Sequence, residues 1–115
     1  MSKLAKYLIS DLERDRSKSS IKFFRSSGAY GYILWLTVVD NFFSKIDMSV
    51  DELVTKLEKY ASRRTVLDFI IKGVDGKFLE KKVLSNDKRK IIIKPTDITI
   101  KDYKEWSNNF IKSIT

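Results

Sequence analysis

Two short helical stretches, each opened by a serine and followed at once by two strand-like runs around a polar turn, constrain this chain more than any other feature. Ser49-Val50-Asp51-Glu52 has capping-box spacing: the serine hydroxyl accepts from the third backbone N–H, and the glutamate reaches back to the cap. Val50, Leu53, Val54 and Leu57 follow at helical spacing and predict one apolar stripe on a helix running to about Tyr60. Ser62 caps a second helix, whose buried stripe is Val66, Phe69, Ile70 and Val74 and which closes between Gly73 and Gly76. Two short helices joined by a tight connection make a helix-turn-helix unit. Lys77 to Leu84 and Arg89 to Lys94 read as strands joined by Ser85-Asn86-Asp87-Lys88, and together as a hairpin.

The flanking segments are helical as well. Leu4, Tyr7, Leu8 and Leu12 place an amphipathic helix over Lys3 to Arg14. The polar run from Asp15 to Ser20 reads as a loop, after which Ile21, Phe23 and Phe24 return the chain to the core. Ser26-Ser27-Gly28 breaks it again. From Ala29 to Phe43 nearly every residue is apolar, and the length favours a buried central helix over a strand, although Val38 and Val39 suit either. Pro95 ends the second strand, and Thr99-Ile100-Lys101-Asp102 has the spacing of a helix start. The last helix carries Ile100, Tyr103, Trp106, Phe110, Ile111 and Ile114 on one side. That side can cover its own domain or a second subunit. The amphipathic helix at the other terminus favours the second subunit.

A chain of 115 residues with 43% hydrophobic content supports one domain with a real core and is too short for two ordinary ones. It contains no cysteine and no histidine, so the common zinc sites, disulfides and Ser-His or Cys-His nucleophilic systems are excluded. No metal site, cofactor or catalytic residue is expected. Asp11, Glu13 and Asp15 are interleaved with arginines and read as an exposed helix end rather than a carboxylate pair at work. The longest apolar stretch, Tyr30 to Val39, falls well short of the roughly 18 residues needed to span a membrane. No membrane association is expected, and the protein is placed in the cytoplasm, with the nucleoid.

The formal charge is +8, and it is unevenly spread. From Lys59 to Lys94 the net is +7, against +1 for all the rest. Within that window, the stripe of the second helix leaves Arg64, Thr65, Asp68 and Lys72 on the opposite side, with Arg63 at the N-terminal end. Such a face is either ordinary solvated surface or a set of donors for phosphates and guanine edges. Lys88, Arg89 and Lys90 sit at the tip of the hairpin, where they guard a sheet edge against aggregation or lie along a DNA backbone.

The order helix, helix, strand, charged turn, strand, helix resembles the MarR-like winged-helix family of regulators. Asp87-Lys88-Arg89-Lys90-Ile91-Ile92-Ile93-Lys94-Pro95-Thr96 is similar to its wing signature, with Asp-x-Arg, an alternating strand and a Thr at the matching offset. Met48-Ser49-Val50-Asp51-Glu52-Leu53 is similar to the start of the motif's first helix, and Ser62-Arg63-Arg64-Thr65-Val66 to the start of the recognition helix. Gly76-Lys77-Phe78-Leu79-Glu80-Lys81-Lys82 is similar to the approach to the wing. Pro95 departs from the family's usual Leu, and the Gly that follows the Thr is missing. The resemblance implies that Ser62 to Thr65 and Asp68 contact the major groove, that Arg89 enters the minor groove, and that Asp87 orients the wing. It also implies dimerisation through the terminal helices.

The chain is therefore expected to be one mainly α domain with a small β-hairpin wing, a winged helix-turn-helix of α+β class. Residues 1–44 form N-terminal helices, 48–96 the helix-turn-helix and wing, and 97–115 a dimerisation helix. The expected function is sequence-specific binding of double-stranded DNA in transcription regulation. The recognition helix, about 62–74, lies in the major groove and the wing, 85–90, at the minor groove. The DNA-binding residues are Ser62, Arg63, Arg64, Thr65, Asp68, Lys72, Lys88, Arg89 and Lys90. The homodimer interface comprises Leu4, Tyr7, Leu8, Tyr103, Trp106, Phe110 and Ile114. No small-molecule effector is assigned. The alternative is a winged helix serving as a protein-interaction or architectural module.

Overall fold

Gly28 sets the first corner of the fold. Its φ of 83° is a conformation that side chains disfavour, and it separates two helices that must turn sharply to share a core. The computed structural model describes residues 2–14, 19–84 and 87–115, with the side chains of residues 14 and 87–89 outside the description. Among the described residues, six helices and one hairpin follow in the order α1 Ser2–Arg14, α2 Ser19–Arg25, α3 Ala29–Phe43, α4 Val50–Lys56, α5 Arg63–Asp75, β1 Leu79–Leu84, β2 Asp87–Pro95 and α6 Asp97–Ile114.

The apolar α3 runs through the middle, as its composition requires: Leu34, Trp35, Val38 and Val39 are all buried. Gly31 lies so close to α2 that a Cβ there would overlap the Phe24 carbonyl oxygen, which explains why this position of α3 carries no side chain. The stripe of α4 is buried at Leu53, Val54 and Leu57, and that of α5 at Val66, Phe69 and Ile70. Aromatic stacking joins α2 to the second half of the chain. Phe23 stacks on Phe69 of α5 at 4.6 Å and on Phe78 at 5.0 Å.

β1 and β2 pair antiparallel, from Leu79 opposite Pro95 to Val83 opposite Ile91, and the register shifts between Val83 and Leu84. An isolated bridge from Ser49 to Ile92 adds a third short edge, so the start of α4 is attached to the hairpin. Both roots of the hairpin are tied down. Phe78 N donates to Gly73 O at 2.9 Å, hooking β1 onto the end of α5. The Thr99 hydroxyl donates to Phe78 O at 2.7 Å, and the Thr96 hydroxyl to Lys77 O at 2.8 Å, hooking α6 onto the same point.

Four local expectations need correction. Ile21, Phe23 and Phe24 belong to a separate short helix, α2. α4 stops at Lys56, not Tyr60: Leu57 is the last residue of the buried stripe, and the backbone turns there. α6 begins after Thr96, so Thr99 lies inside the helix and is fully buried. Asp11 is not on an exposed helix end. It is 8% exposed, is paired with Arg25 at 2.9 Å and accepts from the Trp106 indole at 2.8 Å. Asp15 lies outside the described residues.

Candidate nucleic-acid interface

The first turn of α5 is built by Ser62. Its hydroxyl oxygen accepts from Thr65 N at 3.2 Å, satisfying one of the orphan N–H groups of the helix, and lies 2.8 Å from the Thr65 hydroxyl. The buried residues Val66, Phe69 and Ile70 fix how the helix is rotated against the core. Gly73 is buried too, with Leu79 and Phe23 packed over it. The opposite side is open: Ser62, Arg63, Arg64, Thr65, Asp68 and Lys72 are all exposed. These six residues, expected from periodicity and resemblance to share a surface, therefore lie along one helix and its cap, with Ser62 to Thr65 at the positive end of the helix dipole and Lys72 in its last turn.

Arg63 departs from the others. Its guanidinium is paired with Asp51 on α4. On the hairpin, Lys90 of β2 lies 3.5 Å from Glu52, the next residue of α4. Glu52 has a further role, because Ser49 caps α4 by accepting from Glu52 N at 3.1 Å. The Glu52 carboxyl is held below its usual value of 4.5, first by hydrogen bonding to the Ser49 side chain, then by the Ser49 backbone N–H and the positive charge of Lys90. Sequence reasoning assigned Glu52 to the cap alone and gave Asp51 no role. The capping box was the signal for the first role, whereas the ion pairs depend on how α4, α5 and β2 meet.

On the hairpin, Lys81, Lys82 and Val83 are exposed. The roles expected of Asp87, Lys88 and Arg89 lie outside the described side chains.

The residues expected at a dimer interface fall into two groups. Tyr103 and Trp106 pack edge-on against Trp35 of α3, at 5.7 and 5.2 Å, and so cover the chain's own core. Tyr7 meets Phe110 at 5.6 Å, joining α1 to α6, and Leu4 is half-buried. Leu8 and Ile114 are exposed, and so are Ile9, Leu12 and Ile111, three further apolar residues on the same two helices.

Among the described residues, no group of three or more carboxylates could hold a metal ion, and no helix is long and apolar enough to cross a membrane.

No family model matches this chain, and no curated protein matches it. Among solved structures, it is similar to Staphylococcus aureus MepR bound to ethidium bromide, with a TM-score of 0.54 over 96% of this chain and 82% of that one, at 12% identity. The likeness is one of fold. Like MepR, this chain is mostly helical with a two-stranded antiparallel hairpin, a winged-helix fold.

Proposed function

We propose that this protein is a sequence-specific double-stranded DNA-binding transcription regulator that works as a homodimer. The observation that carries the proposal is the outer side of α5, where Arg64, Thr65, Asp68 and Lys72 stand exposed on a helix held rigidly by a buried stripe, in a winged-helix fold. In the major groove, Arg64 donates to guanine edges, while Thr65 and Asp68 discriminate between neighbouring bases. Lys72, Lys88 and Lys90 neutralise phosphates and set the register, and Arg89 enters the minor groove, whose narrow A·T stretches attract a guanidinium. α1 and α6 join two copies, so that two recognition helices face one side of the duplex.

Selection of bound duplexes from a random library tests this. The expected product is an inverted repeat with half-sites about one helical turn apart. Failure to enrich any sequence would remove the claim of specific reading.

One observation favours a second reading, a protein-docking module: Phe42, Phe43 and Ile46 are exposed together at the end of α3. Salt separates the two. A duplex complex weakens steeply with added salt, and an apolar protein complex does not.

A further inference from the structure

The two ion pairs beside α5 share an arrangement. A crevice of about 400 Å³ is lined by Ser49, Asp51, Glu52, Arg63, Lys90 and Ile91, where the start of α4, the start of α5 and strand β2 converge. Its cations come from the two elements assigned to DNA, Arg63 from the recognition helix and Lys90 from the hairpin. Its anions are consecutive residues of α4, which is assigned no base contact. Each cation is thus matched by a carboxylate before any phosphate arrives. Both pairs are solvent-accessible: the Arg63 and Asp51 side chains are 52% and 73% exposed, so the pair is weak enough to exchange.

Resting on the duplex-binding reading above, we infer that Asp51 and Glu52 are specificity-determining residues. They neutralise Arg63 and Lys90 in the free protein, withhold both charges from non-specific duplex, and so widen the gap between cognate and random sites. The physical argument is one of charge counting. Non-specific affinity comes almost wholly from counterions released as lysines and arginines meet phosphates, each contact adding about 0.9 to the steepness of log K against log salt. A cation already facing a carboxylate releases less on binding. A cognate site, which seats α5 in the groove by base contacts, holds phosphates long enough to draw the cations away from their carboxylates. A random site offers no such hold.

The test uses the full chain with Asp51→Asn and Glu52→Gln, and a random-sequence duplex about two helical turns long titrated over a range of salt. Glutamine still closes a capping box, so Glu52→Gln removes the charge and keeps the cap. Thermal melting checks that each variant is folded. The expected result is a salt dependence steeper by up to about 0.9 for each variant, and a random-duplex affinity raised by up to about eightfold near 0.1 M salt. The ratio of cognate to random affinity should fall. Asp40→Asn, on α3, makes the same change in net charge outside the crevice and should leave the slope where it was.

An unchanged or shallower slope in both variants, or an equal rise in Asp40→Asn, overturns the inference while leaving duplex binding intact. A carboxylate that served only to brace the fold would weaken binding when removed. If the parent chain binds no duplex in a salt-dependent way, the functional reading falls and the inference falls with it.

Discussion

Asp11 of α1 and Trp106 of α6 meet across almost the whole length of the chain, the indole Nε1 donating to Oδ2 of the carboxylate at 2.8 Å. The same oxygen is paired with Arg25 of α2 at 2.9 Å, and the Arg25 guanidinium lies 4.9 Å from the centre of the Tyr32 ring of α3. One carboxylate therefore ties the first, second and last helices together, and Ser20 adds a second link between α2 and α6 by donating to Asp102 at 2.5 Å. A polar network of this kind is costly to break because each removal leaves a partner unsatisfied in low dielectric.

Asp11→Ala should consequently destabilise the protein by about 3 kcal/mol, since it removes the carboxylate that serves both the Trp106 indole and the largely buried Arg25 guanidinium. Asp11→Asn, which still offers an acceptor to the indole, should lose less. Urea unfolding followed by tryptophan fluorescence checks this: the midpoint should drop at constant m. A midpoint equal to that of the parent would show that the pair contributes nothing.

Arg64→Ala and Lys88→Ala should separate reading from anchoring. The first should cost roughly 1 to 3 kcal/mol on the selected site and blur the preference at the base pair proposed for Arg64. The second should weaken every duplex alike and lower the salt slope by about one. Fluorescence anisotropy on cognate and scrambled duplexes distinguishes these patterns, and two variants with identical patterns would contradict the division of labour.

Lys77 follows α5 with φ of 64°, a left-handed conformation that a Cβ disfavours. It donates N–H to Val74 O at 3.1 Å and so closes the helix in the position where glycine is commonest. Lys77→Gly should raise stability by about 0.5 to 1 kcal/mol, the relief of backbone strain exceeding the entropy glycine gains when unfolded. A lower melting temperature for this variant would show that the lysine side chain supports the hairpin root.

These relationships mark where sequence reading succeeds and where it stops. α3 and α5 were legible because each carries its own boundary: Gly28 before the first, and the Ser62 cap before a stripe with a 3.6-residue period in the second. The exposed side of α5 followed from the same period. α2 was missed because seven residues are too few to show a period, and it is held by packing rather than by helix propensity. The start of α6 was misplaced because Thr99 and Asp102 imitate a cap while bonding elsewhere, to Phe78 O and to Ser20. Asp11 looked solvated for a related reason. Its partners, Arg25 and Trp106, come from other helices, and no local pattern announces them. Asp51 and Glu52 belong to the same class, since the pairs they make exist only once α4, α5 and β2 have been brought together.

The exposed apolar residues of the terminal helices carry the last prediction. Leu12 is 63% exposed, Ile9 59%, Ile111 54% and Ile114 51%, on two helices that already contact each other through Tyr7 and Phe110. A second copy of the chain meeting these helices removes that surface from water, and each large side chain so buried contributes about 1.5 to 3 kcal/mol. Because the gain arises only on association, a charge placed there should act on the dimer and spare the folded chain. Leu12→Glu and Ile114→Glu are thus expected to sediment as monomers with a melting transition close to that of the parent at low protein concentration. Their affinity for an inverted-repeat duplex should fall by much more than their affinity for a single half-site, because only the former needs two recognition helices held at fixed spacing. Dimers that persist in both variants, or equal losses on the two duplexes, would place the subunit contact elsewhere on the molecule.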